Sequence, residues 1–193
     1  MKNRGFIFAL PIALIAVFVT GCYYHMESEE RDAAGFSSIA LDGTADIYIR
    51  PGKDYRVTVT ARRDVLDKVS TKVSGSILRI DNRKRSNRYH SNHIDIDIYM
   101  PELKNITHNG AGDIQVYSGN GSQLDILLSG VGDISAQDYK ANNVNVTLTG
   151  VGDVKVWAAD TLNAKLTGVG DIRYKGNPKI NTVNNGMGRI RKL

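Results

Sequence analysis

Apolar and polar positions alternate along most of this chain, and the alternation comes back in register with itself. Leu124, Ile126, Leu128, Ile134 and Ala136 are all even-numbered, and so are Gly130 and Gly132 between them. The next stretch reads Val144, Val146, Leu148, Gly150, Gly152, Val154 and Val156. The one after reads Leu162, Ala164, Leu166, Gly168, Gly170, Ile172 and Tyr174. A period of two predicts strands with one buried face. The alternation passes through each Gly-x-Gly without slipping, so it predicts a strand bending at a corner rather than a hairpin. Inside such a corner only hydrogen fits, and glycine also tolerates positive φ.

The corners are copies of one motif. Leu128-Ser129-Gly130-Val131-Gly132-Asp133-Ile134 returns at 148–154 and 166–172, with a looser copy at 108–114 and a decayed one at 184–190. The first glycines fall at 110, 130, 150, 168 and 186, in steps of 20, 20, 18 and 18. A fixed period of this size marks stacked coils. Leu41-Asp42-Gly43-Thr44-Ala45-Asp46-Ile47 fits the same template, with Ile39, Leu41, Ala45, Ile47 and Ile49 inward. The coils therefore begin near residue 36 and resume near 103, with an elaboration between them. That elaboration holds a strand with Val57 and Val59 on one face and a short helix from Arg63 to Val69. It continues with a strand from Lys72 to Ile80 that bends at Gly75, a basic loop from Asp81 to His93, and a strand carrying Ile94, Ile96 and Ile98.

Two outward rows follow from the parity. Stacking places Asp113, Asp133, Asp153 and Asp171 above one another, about 4.8 Å apart per rung. In bulk water neighbouring members would repel by about 0.9 kcal/mol. Lys155, Arg173 and Arg189 are placed to offset this, and the aspartates can accept backbone amide hydrogens. The row is expected to be a compensated surface ladder rather than a cation site. Ala111, Val131, Val151, Val169 and Met187 form an outward apolar stripe, to be covered by chain, covered by a partner, or tucked in by the corner.

The first residues belong to no coil. Lys2 and Arg4 precede a 14-residue apolar run, Phe6 to Val19, which is short for a membrane span and suits a signal segment. Val19-Thr20-Gly21-Cys22 resembles a bacterial lipobox, and Cys22 is the only cysteine. The expectation is a lipoprotein signal peptide at 1–21, lipid on Cys22, a polar tether over 22–35 and the folded domain over 36–193. Tyr23 stands where an aspartate would signal inner-membrane retention, which points to the outer membrane. Removal of residues 1–21 leaves 23 Lys+Arg against 20 Asp+Glu, since two of the 25 basic residues lie in that segment. That balance is no nucleic-acid signature.

Chemistry-bearing motifs are few. A dinucleotide fingerprint needs a helix after Gly-x-Gly, and none follows. Calcium β-roll repeats run every nine residues, not every 18–20. His90-Ser91-Asn92-His93 has one metal-like spacing but no sequence partners at zinc spacing. Arg83, Lys84, Arg85 and Arg88 form a candidate basic patch for anionic headgroups or glycans. No Ser/His/Asp or paired-carboxylate arrangement has a defensible spacing, so no catalytic residue, cofactor or metal is expected.

The order of these features carries a resemblance. Ile39-Ala40-Leu41-Asp42-Gly43, the Pro51-Gly52 turn, Val57 and Val59, the helical turn at Asp64 to Lys68, Leu78-Arg79-Ile80 and Ile98-Tyr99-Met100-Pro101-Glu102-Leu103 are followed by Gly-x-Gly-Asp repeats. This order resembles the auto-transporter adhesin head GIN domain family over about residues 36–192. The resemblance implies a secreted or lipid-anchored bacterial protein with an all-β, right-handed β-helix-like solenoid, and it offers no catalytic residues. The expected role is a non-catalytic binding, adhesion-like or structural module of the cell envelope. Its partners would be the membrane, through the lipid, and an envelope glycan or protein. The alternative is a polysaccharide-acting enzyme, which needs two carboxylates across one groove.

Overall fold

The computed structural model describes residues 26–83 and 93–193. The signal segment, Cys22, Lys84, Arg85, Arg88 and His90 lie outside the described residues. The chain forms β1 (Met26–Arg31), β2 (Ser38–Asp42), β3 (Asp46–Pro51), β4 (Arg56–Arg62), α1 (Arg63–Leu66), β5 (Ser70–Ser74), β6 (Ile77–Asp81) and β7 (Asp95–Met100). It continues with β8 (Asn105–His108), β9 (Ile114–Val116), β10 (Gly119–Leu128), β11 (Ile134–Leu148), β12 (Val154–Leu166), β13 (Ile172–Lys175), β14 (Lys179–Asn184) and β15 (Ile190–Lys192). All fifteen strands belong to one continuous sheet. The fold is all-β, with a single helical turn among the described residues.

Pairing follows the repeat. One parallel ladder runs β6, β2, β8, β10, β11, β12, β14. The other runs β7, β3, β9, β11, β12, β13, β15, with β11 and β12 long enough to serve both. The two ladders meet at the Gly-x-Gly corners, where Thr44, Ala111, Val131, Val151, Val169 and Met187 bridge one another in turn. The even-numbered apolar side chains from Leu124 through Ile172 are buried, and so are Ile39, Leu41, Ala45, Ile47 and Ile49. The corner reading therefore holds: the chain changes ladder at each motif without reversing.

The glycines are required for the positive φ that the sequence reading allowed for, and for a close approach that it placed elsewhere. A Cβ on Gly132 would sit 1.9 Å from the carbonyl oxygen of Gly112, and one on Gly152 would sit 2.0 Å from that of Gly132. The obstacle is the backbone of the coil below, not the interior of the bend. Gly132 and Gly152 also have φ of +138° and +142°.

The elaboration differs from expectation in two places. The stretch Lys72 to Ile80 is not one bent strand. β5 and β6 pair antiparallel around a turn at Gly75, whose φ is +61°. Part of the expected tether, Met26–Arg31, is instead a strand pairing antiparallel with β4. Its charges conceal it: Glu27 pairs with Arg63 and Glu29 with Arg31, which is how an edge strand stays soluble. β4 in turn pairs antiparallel with β7. These antiparallel strands close the first end of both ladders. Val65, Leu66 and Val69 are buried as the helix reading required, although the α-helical part stops at Leu66.

The change of step from 20 to 18 residues has a local origin. The β11–β12 register shifts between Ala136 and Lys140 and again between Ala141 and Asn143. Tyr139 lies in this irregular stretch and is fully buried, against the even-number parity. Its hydroxyl donates to the Leu103 carbonyl at 3.1 Å. Gly119 and Gly121 of the coil below leave room for its ring, since a Cβ on Gly121 would fall 2.4 Å from the tyrosine oxygen.

Candidate functional site

Each aspartate of the outward row does the same work. Asp46 accepts the Asp113 amide, Asp113 that of Asp133, Asp133 that of Asp153 and Asp153 that of Asp171, each at 2.8 Å. Asp171 accepts the Arg189 amide at 2.9 Å, and the decayed last copy supplies no carboxylate. One oxygen of every aspartate is thus occupied by the coil above. Arg173 bridges Asp153 and Asp171 at 3.1 and 3.2 Å, and Arg191 and Arg189 reach Asp171 at 3.4 and 4.0 Å. The Arg189 amide bond, with Arg173 alongside, holds the Asp171 carboxyl below the usual range. Lys155 is in none of these pairs. A second row runs parallel to the first: Asn145 donates to Asp125, Asn163 to Asn145 and Asn181 to Asn163.

The apolar stripe is not tucked in. Val131 is 57% exposed and Met187 75% exposed, because stacking sets these side chains on the outside of each corner. No described part of the chain covers them. Of the basic patch, Arg83 is described, and it is committed to Asp81 through two side-chain bonds of 2.7 and 3.1 Å.

His108 takes the place that Leu128, Leu148 and Leu166 hold in the later coils. It is fully buried, with Nδ1 accepting the Gly110 amide at 3.2 Å and Nε2 against the Gly112 carbonyl at 2.7 Å. Nε2 therefore carries the proton and the ring is neutral; burial holds its pKa below the ordinary value. Asn184 makes the same two bonds in the last copy, to Gly186 and Gly188. This is a structural corner clamp.

The surface that stands apart lies across β1, β4, β7, β3 and β9. Their outward residues form rows set by register. One row is Glu30, Thr58, Asp97 and Tyr48. The next is Arg56, Tyr99 and Arg50. Arg50 forms an ion pair with Asp97, and its guanidinium lies 5.9, 5.8 and 4.5 Å from the ring centres of Tyr48, Tyr99 and Tyr117. Arg56 stacks on Tyr99 at 4.3 Å and has no carboxylate partner among the described residues. Burial, with Asp95 and Asp46 nearby, raises the Tyr48 phenol above its ordinary value. Glu30, Arg50, Arg56, Thr58, Asp97 and Tyr99 border an open cleft of ≈ 450 Å³. Rigid aromatic faces beside fixed guanidinium forks are what recognition surfaces use. Part of the signal was in the sequence, since Tyr48, Asp97 and Tyr99 hold outward positions of strands predicted there, whereas Arg50 reads there as the start of a turn. Sequence spacing could not show that β3 and β7 are neighbours.

Among the described residues no helix is long and apolar enough to cross a membrane. No curated protein matches the chain. Two crystal structures of proteins described as a "putative adhesin" share its fold. One, from Bacteroides fragilis NCTC 9343, is 21% identical, with a TM-score of 0.59, over 88% of this chain and 97% of that one. The other, from Parabacteroides distasonis ATCC 8503, is 16% identical, with a TM-score of 0.50, again over 88% of this chain and 97% of that one. The family model "Putative auto-transporter adhesin, head GIN domain" matches residues 35–118 and 109–178. With the coil pattern, the corner motif and most of the folded chain inside those matches, the protein belongs to the auto-transporter adhesin head GIN domain family.

Proposed function

We propose that this protein is a non-catalytic binding module of the cell envelope, and that its Tyr–Arg cleft takes a saccharide bearing an acidic group. The observation that carries this is Arg56, a guanidinium stacked on Tyr99 with no carboxylate partner among the described residues, across that ring from Arg50. A sugar ring offers an apolar face to Tyr99 and hydroxyls to Asp97 and Thr58, and an acid group suits Arg56 bidentately. The family name supports an adhesion-like role. The fold supports one too: coils that spend their interior on packing leave function to outward side chains. The parallel ladders, stepping by 18–20 residues, support a right-handed β-helix-like winding, the hand that parallel crossovers prefer. An experimental structure with left-handed crossovers would remove that part of the reading.

The test is a glycan and peptidoglycan binding screen with the purified full chain. Wild type is expected to retain acidic saccharides, and Arg56→Ala and Tyr99→Ala to weaken them by roughly 10-fold or more. Absence of any saccharide binding, or variants that bind as well as wild type, rejects the assignment. A second reading has one observation in its favour: Glu30 and Asp97 line the same cleft, as a polysaccharide-acting enzyme requires. Asp97, however, is already paired with Arg50. Shortened products in the same screen would favour this reading.

The address is part of the proposal. Lipid on Cys22, with 1–21 as its signal peptide, fits an outer-membrane lipoprotein whose fold begins only a few residues downstream. Each buried methylene contributes about 0.8 kcal/mol, so several acyl chains anchor almost irreversibly. Cys22→Ser is expected to abolish acyl labelling and release the protein from the membrane fraction. Equal membrane retention of the variant rules the lipid anchor out.

A further inference from the structure

Where the outward face of β3 and β7 begins, three ligand-type side chains meet. Asp46 opens β3, Asp95 opens β7, and the two are register partners of a parallel pair, so their side chains leave the sheet side by side. His93 lies two residues before β7 and sits against both. Its Nε2 is 2.9 Å from Asp95 Oδ1 and its Nδ1 is 3.7 Å from Asp46 Oδ2. One donor atom from each of the three residues lies within 4.8 Å of the other two.

Two independent features prepare this group for a cation. The Asp113 amide already binds Asp46 Oδ1, which fixes that carboxylate and leaves Oδ2 facing His93. Asp95 Oδ1 is buried and receives no hydrogen bond, despite its closeness to the imidazole. Two adjacent carboxylates, one with an unsatisfied buried oxygen, are relieved by a positive charge placed between them.

We infer that Asp46, His93 and Asp95 form a seat for a divalent transition-metal ion of the zinc type, with a coordination position open to solvent. One imidazole nitrogen and two carboxylate oxygens make a mixed donor set. It suits zinc or its neighbours better than calcium or magnesium, which prefer oxygen alone. Zinc bonds of about 2.0–2.2 Å set tetrahedral ligand atoms about 3.4 Å apart. One donor atom from each residue already lies within 4.8 Å of the other two, so a small inward closure reaches that spacing. The ring now bridges the carboxylates with one nitrogen to each; a bound ion takes one nitrogen and both carboxylates. The Asp113 amide then serves as the outer restraint that orients a ligand. His93 is exposed, which leaves the remaining position accessible. Sequence spacing alone missed the site, because it measured His93 against His90 rather than against Asp46, 47 residues away on a neighbouring strand.

The rival is a protonated His93 shared between two aspartates, with no metal. Calorimetric titration of zinc into chelator-stripped, purified full chain separates the two. Wild type is expected to bind one equivalent with micromolar affinity. His93→Gln and Asp95→Asn are each expected to weaken binding by roughly 30-fold or more, whereas Glu102→Gln, remote from the group, leaves it unchanged. Because His93 is exposed, His93→Gln keeps the fold, and its melting temperature without metal checks this. A wild type that takes up no equivalent of zinc overturns the inference. So does a His93→Gln variant that binds as wild type, since the metal would then sit on other residues.

Discussion

Gly152→Val collapses the stack. The new Cβ would stand 2.0 Å from the Gly132 carbonyl oxygen, a backbone atom held by its own ladder bonds. Neither coil can move aside without lengthening the bond of 3.0 Å from the Gly132 amide to the Val151 carbonyl and that of 2.8 Å from the Asp153 amide to Asp133. The φ of +142° adds its own penalty for a branched residue. Backbone strain of about 1–3 kcal/mol and overpacking of about 1–3 kcal/mol sum to a large part of a typical domain's 5–15 kcal/mol. The melting temperature is expected to fall by about 10 °C or more. Ser135→Ala, on the outward half-exposed face, is expected to stay within about 0.5 kcal/mol of wild type. If the two variants melt together, the close approach of the coils is not what selects glycine here.

Tyr139→Ala is the second large effect, and it acts on packing instead of backbone. The ring fills the space that Gly119 and Gly121 leave open, and its hydroxyl satisfies the Leu103 carbonyl. Removal of a buried aromatic ring costs about 3–5 kcal/mol, a fall of roughly 6–20 °C for a domain of this size. Tyr139→Phe keeps the ring and loses one hydrogen bond, so about 1–2 kcal/mol is expected. Chemical denaturation of the three proteins gives the ordering directly. An alanine variant as stable as wild type would mean that the irregular turn of β11 repacks freely.

How much of this was legible depended on whether the information was periodic. The even-numbered core from Leu124 to Ile172, the corners and the outward aspartates follow from a period of two carried through a repeat of 18–20. Tyr139 breaks that parity because two register shifts, after Ala136 and after Ala141, move one stretch out of phase and back. Strand β1 was hidden because edge strands disguise themselves with charge, as Glu27 and Glu29 do. The antiparallel β5–β6 turn was hidden because one glycine between alternating runs suits a bend as well as a reversal. The candidate sites were the least legible part. Arg50 meets Asp97 and Asp46 meets Asp95 across a β3–β7 pairing that no local pattern encodes. The Gly-x-Gly-Asp motif, the most conspicuous feature of the sequence, ties each coil to the next through its aspartates.

The aspartate and asparagine rows make the coil a transferable unit. Each internal coil gives one bond to the coil below and takes one from the coil above, in both rows. Excision of residues 150–167 would join Thr149 to Gly168 and restore the same corner motif across the cut. Asp133 would then face the Asp171 amide, and Asn145 would face Asn181, with no donor or acceptor stranded. The length of such a chain can therefore drift by whole turns without any compensating change elsewhere. The distance between the end closed by the antiparallel strands and the last coil becomes adjustable in steps of about 4.8 Å, while the strands that bear the cleft remain untouched.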